Sequence, residues 1–474
     1  MAETNQMKAR VDTKHPFLVM MGLYLGAFIG MFSETSLNIA LPVLSQTFRL
    51  DTSVAQWLVT GYMLVIGLVL PFASILMKKF PVRKLTFFAL GAFFVGSLIS
   101  GFAPVFSVLL IGRLIQGIGT GLILPMMFAV VLEVFPANKI GTAMGVTALI
   151  IMFAPAIGPT LSGLVLGALS WRWLFFIFAI VLAVAIGFAA KYMVNPYELT
   201  KPKIDVLSVI TSCLGFGGIV LGAGLASAYG WGSAQVIIAL VVGVVALVIY
   251  CRRQLTMEHP VLNLRAFKIP AFTIGTLMMM INFGITLSAM YLLPQYLQNG
   301  AQYAVAMTGL IMLPGGVVNA LVSLGAGRLY DKVGAKIPTK VGFALSIVGA
   351  ILLLLTTKDS GIAYIILCHV ILMIGVPLAM SPAQSSALNS LPPELSTDGS
   401  TILNTLQQVF GAISTAVTTS LLGAGQKHYL AAVGHDSAAA FTTGTHYGLY
   451  FTLALAIMGF LISFGVREKK NKKQ

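Results

Sequence analysis

The stretch Gly327-Arg328-Leu329-Tyr330-Asp331-Lys332-Val333-Gly334-Ala335-Lys336 lies between two long apolar segments, near 305–326 and 338–357. Its glycines permit a tight helix-to-helix turn. Asp331 can accept hydrogen bonds at a helix start and pair with the cations beside it. A degraded copy, Ser74-Ile75-Leu76-Met77-Lys78-Lys79-Phe80-Pro81-Val82-Arg83, follows the segment near 54–77, with Lys78 in place of the acid and Pro81 in place of the second glycine. For either copy alone, a solvated turn is the plainer reading. The copies follow the second and the tenth apolar segments, an offset of eight. A simple duplication of six-helix units gives six, so two further segments, near 206–227 and 234–251, sit between the halves.

Composition agrees with this. Of 474 residues, 58% are apolar and 9% charged, with 14 acidic side chains, whereas soluble proteins carry roughly 25% charge. A soluble enzyme, a disordered chain and a collagen-like chain are excluded. The apolar stretches run without alternation well past the ~10 residues of an outer-membrane strand. A helical span needs ~20 apolar residues, and fourteen such stretches are found between 17–40 and 446–466. The reading is an all-α polytopic membrane protein in three units: a six-helix bundle (1–193), two inserted helices with linkers (194–268), and a second six-helix bundle (269–474).

The net charge of +15 is a topology signal. With a cytoplasmic N-terminus, the tails and even-numbered loops hold 24 Lys and Arg, in clusters such as Lys78-Lys79 with Arg83-Lys84, Arg252-Arg253, Arg328 to Lys340 and Lys469 to Lys473. The outward loops hold four: Arg49, Arg172, Lys358 and Lys427. This asymmetry places both termini in the cytoplasm, with the basic surplus facing anionic lipid and no nucleic acid implied. Lys8, Arg10 and Lys14 precede the first segment, which reads as an uncleaved span. Cys213, Cys251 and Cys368 show neither disulfide nor metal spacing. The longest outward polar stretch, roughly 425–445, contains His428, His435 and Asp436. It reads as a solvated loop, with weak metal binding the alternative. No cofactor is implied.

Arg113-Leu114-Ile115-Gln116-Gly117-Ile118-Gly119 sits inside the fourth segment, where a cation costs at least ~2.5–3.5 kcal/mol and needs a partner. The fifth segment carries Gly145, Ala154, Gly158-Pro159 and Ser162-Gly163, a stripe of small residues suited to close helix approach, with Pro155 and Pro159 as bends. The first ends Ser33-Glu34-Thr35-Ser36-Leu37-Asn38-Ile39-Ala40-Leu41-Pro42. These motifs, with Gly327-Arg328 to Gly334, resemble those of the major facilitator superfamily and its fourteen-span drug:proton antiporter branch. The Ser-Glu-Thr wording is most similar to lincomycin-resistance and multidrug exporters. Trp57 to Tyr62, Trp171-Arg172-Trp173 and Pro294 to Gln298 also resemble that branch. The family acid's place is held by Ser33, with Glu34 one residue on, a rotation of ~100° on a helix.

The resemblance implies a transporter of two six-helix bundles plus two helices, exporting amphipathic drugs from the cell across the plasma membrane in exchange for protons, and working as a monomer. An exporter of one metabolite or amino acid is the alternative, and an enzyme is not expected. Glu34 and Arg113 lie at similar depths on antiparallel spans and so can pair. They are the proton-coupling candidates, a permanent structural ion pair being the alternative. His369 is a second titratable candidate, or a hydrogen-bonded packing histidine. A cavity between the halves would be walled by Asn38, Tyr62, Gln116, Met126, Asn282, Tyr291, Gln295, Asn404 and Gln407. No phosphate-binding Gly-rich loop is present, so this chain does not itself use ATP.

Overall fold

The computed structural model describes residues 15–135, 140–195, 205–258 and 260–466. The cationic tail around Lys8, Arg10 and Lys14 and the Lys469 to Lys473 cluster lie outside the described residues, as does most of the linker after 193. Among the described residues the chain is helical, with no strand.

The first group of helices comprises α1 (Pro16–Phe48), the short α2 (Thr52–Ala55), α3 (Trp57–Lys79), α4 (Val82–Gly101), α5 (Phe106–Val134), α6 (Ile140–Ala168) and α7 (Arg172–Tyr192). Then come α8 (Val206–Tyr229) and α9 (Ala234–Thr256). The second group is α10 (Pro270–Gln295), continued by a π-turn (Tyr296–Gly300), then α11 (Val305–Val333), α12 (Lys336–Leu354), α13 (Ile362–Asn389), α14 (Pro393–Ala432) and α15 (Ser437–Ser463). Among the described residues, twelve helical stretches are long and apolar enough to cross a membrane. α6 and α14 are also long, at 29 and 40 residues, but α14 is rich in Ser, Thr and Gln and is less apolar.

The packing repeats. In the first group α1 packs on α5, α6 and α7, α5 on α3 and α4, and α4 on α7. In the second, α10 packs on α13, α14 and α15, α13 on α11 and α12, and α12 on α15. Each of these contacts has its counterpart in the other group, as the two turn motifs lead one to expect. The groups meet along a seam where α6 lies on α11, α3 on α14 and α1 on α10. The symmetry breaks in one place: α14 packs closely on α15, whereas α6 touches α7 little. α8 and α9 form a hairpin, and α8 lies against both α3 and α14, bridging the seam from outside. Only 22% of the most apolar stretch of α9 is buried, as suits a helix facing lipid.

The turn motif is mostly helix. α11 runs through Gly327, Arg328 and Asp331, and the chain reverses at Gly334, whose φ of +73° is one that a side chain rarely adopts. The side chain of Asp331 lies outside what is described. In the degraded copy Pro81 starts α4 with φ −56°, so that turn needs no glycine. The start of α4 is instead tied to the end of α7, where Arg83 donates to the Ala190 carbonyl (2.8 Å) and Asn195 accepts from the Arg83 amide (2.9 Å).

The polar stretch at 425–445 is not a loop. α14 continues to Ala432 and α15 starts at Ser437, because Ala, Leu, Gln and Lys here favour helix. Asp436 caps α15 through the amides of Ala438 (3.0 Å) and Ala439 (3.2 Å) and pairs with Lys358 at 3.0 Å. Lys358 and these amides hold its carboxyl below the ordinary range. Among the described residues no group of His, Cys, Asp and Glu is arranged to hold a metal, and the three cysteines are unbridged.

Candidate functional site

The sequence allows Glu34 and Arg113 to pair, but the structure does not pair them: Arg113 faces Ser33. Its Nη1 donates to both Ser33 Oγ and Gln116 Oε1, each at 2.6 Å, and Nε donates to the Leu58 carbonyl at 3.1 Å. Its guanidinium carbon lies 4.0 Å from the centre of the Tyr62 ring, a desolvated cation–π contact. Arg113 is fully buried, yet its direct contacts are dipoles and a ring face, with no carboxylate hydrogen-bonded to it. The cause is the helical rotation of ~100° per residue, which turns Ser33 toward α5 and Glu34 away from it.

The network continues through the first group. Gln116 Nε2 donates to Ser97 Oγ (2.9 Å), and Ser97 to the Phe93 carbonyl (2.8 Å). The Tyr62 hydroxyl donates to the Gly30 carbonyl (2.9 Å) and sits 2.7 Å from Thr120 Oγ1. Tyr62 and Gln116, expected to wall a cavity between the halves, thus brace Arg113 among α1, α3, α4 and α5.

Glu34 is 1% exposed, and neither carboxyl oxygen has a hydrogen-bond partner. Its polar neighbours are Gln408 of α14, across the seam, and, further off, Arg113, and it forms a hydrogen bond with neither. Other buried, unpartnered polar atoms lie on the same helices: Asn38 Oδ1 on α1, both side-chain atoms of Asn282, Tyr291 Oη and Gln295 Nε2 on α10, and Thr405 Oγ1, Gln408 Oε1 and Ser414 Oγ on α14. Buried polar groups are normally satisfied, so Glu34 and these atoms are candidates for contact with a ligand or water, although unpartnered atoms also occur away from the seam, as at Thr86 of α4 and Tyr250 of α9. Asn404 and Gln407 are half-buried on α14, Asn404 donating to the Ser400 carbonyl of its own helix (2.9 Å). Met126 is buried in the apolar core. His369 is packed against Gly315 with Nδ1 unpaired.

α6 works on both sides of the seam. Pro159 has no N–H to give the Pro155 carbonyl, and Thr35 Oγ1 donates to that oxygen at 3.2 Å. The same hydroxyl lies where a side chain on Gly158 would go. On its other face, a Cβ on Gly163 would stand 2.9 Å from the Gly309 Cα, and one on Gly167 would meet Ala306 Cβ at 2.7 Å. Thr160 Oγ1 donates to the Gly309 carbonyl (3.0 Å), and Gln298 Nε2 to the Ile39 carbonyl (3.1 Å). Gly145 lies on α6 as well, toward its start.

Sequence reading does not find Gln408, Thr160 or Gln298 as seam residues, because a lone Gln or Thr in an apolar helix carries no spacing signal. The displacement of the acid in Ser33-Glu34 was the available clue to what Arg113 contacts.

Two helix groups with matching internal packing, joined by backbone-close contacts and a line of buried polar groups, define a multi-pass membrane transporter rather than an enzyme. The chain belongs to the major facilitator superfamily, whose family model matches residues 23–415. It is 46% identical over 460 residues to the lincomycin resistance protein LmrB of Bacillus subtilis, covering 95% of this chain and 96% of that protein. To LmrB of Listeria monocytogenes it is 44% identical over 459 residues, covering 96% and 98%. Among solved structures it shares its fold with a POT family transporter in complex with a thioalcohol-conjugated peptide (TM-score 0.66, 16% identity, 94% of each chain). It also shares it with a bacterial homologue of the human lysosomal transporter Spinster in an inward-facing, unoccupied conformation (TM-score 0.67, 14% identity, 96% and 98% of the chains).

Proposed function

We propose that this protein exports amphipathic antibiotics and drugs from the cell in exchange for protons, by alternating access between two six-helix units. Export of drugs is supported by likeness along nearly the whole chain to proteins named for lincomycin resistance. The distribution of Lys and Arg, 24 against four, supports cytoplasmic termini in the plasma membrane. The repeated packing supports units at 1–193 and 269–474 with 194–268 inserted, and fourteen spans once α6 and α14 are included. Both units lying in one chain supports function as a monomer.

The observation that carries the coupling mechanism is the Glu34 carboxyl, buried at the seam with no hydrogen-bond partner. A carboxylate charge there would have no donor, whereas a carboxylic acid is neutral, and burying an uncompensated charge is costly. When the seam opens, water reaches the group and the proton can leave; when it closes, the group must be neutral or face a cationic ligand. Arg113 braces α1 through Ser33 and sets the rotation that aims Glu34 across the seam. Asn38, Asn282, Tyr291, Gln295, Asn404 and Gln407 offer the polar contacts of the opened cavity.

The test uses purified protein in liposomes with an imposed pH gradient, following proton flux on addition of lincomycin or a lipophilic cation. Substrate-dependent flux is expected from the wild type and is expected to fall at least tenfold in Glu34→Gln. Unaltered coupling in that variant would remove Glu34 from the mechanism and direct attention to His369.

A further inference from the structure

A polar cleft of about 360 Å³ opens between the two helix groups at the face where α1 ends, the face that the charge count puts outside. Its lining has an unusual chemistry. Five side-chain amides, those of Gln46, Gln295, Gln298, Asn299 and Gln302, are joined by three hydroxyl residues and one aromatic ring, Phe441, and none of the lining residues is charged.

Amides offer donors and acceptors together. A lining of this kind rewards a ligand presenting many neutral hydroxyls in both roles. It gives a cation no carboxylate, and an apolar ligand would strand its polar groups, which is costly. Phe441 adds a flat apolar face of the sort that the C–H side of a sugar ring covers.

Three further observations converge here. Gln295 Nε2 is buried without a partner, although Gln295 Oε1 accepts from Asn299 at 2.9 Å. The backbone under the amides is irregular: α10 passes into the π-turn at Tyr296–Gly300, and Gln302 adopts a φ of +58°. π-turns and left-handed non-glycine residues are uncommon and gather at functional sites. The cleft also draws on both groups, with α1 and α2 on one side and α10, the π-turn and α15 on the other. Gln298 ties its walls through the Ile39 carbonyl at 3.1 Å. Its shape therefore changes as the seam opens.

We propose that this cleft is an exit-side subsite that recognises a neutral, polyhydroxylated group, such as the sugar ring of a glycoside. For its transport consequence the inference rests on the export reading above. The subsite selects among exported compounds by their sugar portion, holding that portion as the aglycone leaves the seam.

Binding is tested apart from transport, by saturation-transfer NMR of methyl α-glucopyranoside with the purified protein in detergent micelles. Transfer to the ring protons is expected with the wild type and is expected to weaken at least threefold in Gln46→Leu and in Asn299→Leu. Gln46 is exposed, so its replacement leaves the core packing alone and keeps the test sound if the second variant misfolds. Absence of transfer with the wild type, or equal transfer with wild type and Gln46→Leu, overturns the subsite. In vesicles, Gln46→Leu is expected to raise the KM for lincomycin, a sugar-bearing antibiotic, about fivefold, while a lipophilic cation is exported as before. Equal losses for both compounds overturn the subsite and leave the export reading standing. If the wild type transports neither compound, the export reading fails while the NMR result still decides the subsite.

Discussion

Arg113 shows how one buried cation is held without a hydrogen-bonded acid. Its guanidinium reaches Ser33, Gln116 and Leu58 at once while stacking on Tyr62, which uses the planar fork and delocalised charge that distinguish Arg from Lys. Arg113→Lys keeps the charge but loses the fork and the stacking, leaving Gln116 and Ser33 incompletely paired. We expect that change to cost about 1–3 kcal/mol and to lower lincomycin export at least tenfold, read from vesicle transport beside a thermal melt in detergent. Wild-type export by Arg113→Lys would show that the charge alone suffices. That an arginine in this span needs partners was legible in the sequence. The identity of those partners was not, because candidates at one depth differ only by rotation about the helix axis. Adjacent Ser33 and Glu34 point to different neighbours.

Among elements, the α8–α9 hairpin is fastened at one end by an ion pair, beside a hydrogen bond from Gln254 Nε2 to Ser208 Oγ (2.6 Å). Asp205 caps α8 through the Ser208 amide (3.2 Å) and hydroxyl, and grips Arg253 of α9 with both oxygens, at 2.7 and 2.8 Å. The Arg253 guanidinium, with help from Ser208, holds the Asp205 carboxyl well below the ordinary carboxylate range. A depressed folded-state value means that the ionised pair stabilises fully above the unfolded carboxyl pKa of ~3.9 and loses that contribution as pH falls through the lower folded value. Asn can still cap a helix, so Asp205→Asn isolates the ion pair. Hydrogen exchange at the start of α8 should quicken severalfold in Asp205→Asn at pH 7, with the difference from wild type shrinking below about pH 4. An equal difference at pH 3 and pH 7 would mean that charge plays no part. The pair is half-buried, with side-chain exposures of 36% for Arg253 and 19% for Asp205, and it joins the start of α8 to the end of α9. The sequence placed both helices but gave no means of matching Asp205 with Arg253 across 48 residues.

For the whole molecule, the contact of α6 with α11 is the place where the groups come closest. A Cβ on Gly163 would lie 2.9 Å from the Gly309 Cα, and one on Gly309 would lie 3.1 Å from the Gly163 Cα, so neither position admits a side chain while this contact is closed. Gly163→Val should therefore wedge the contact apart and lower lincomycin export in vesicles at least tenfold. Full export by Gly163→Val would show that α6 and α11 need not approach this closely during transport.

The sequence by itself determined the class of fold, the repeated turn and the two helices between the halves. These depend on quantities that accumulate along a chain: runs of apolar residues, their offset, and glycine and proline at fixed places. It also singled out Arg113, because a charge in an apolar run has few tolerable explanations. Only the tertiary structure decided that Arg113 faces Ser33, that Glu34 is left unpaired against Gln408, that α14 continues where a loop was expected, and that amides from both helix groups gather into one cleft. Each of those outcomes is set by rotation about a helix axis and by which helices touch. Spacing along one chain is silent on rotation between helices, so such contacts become visible only when the helices are packed together.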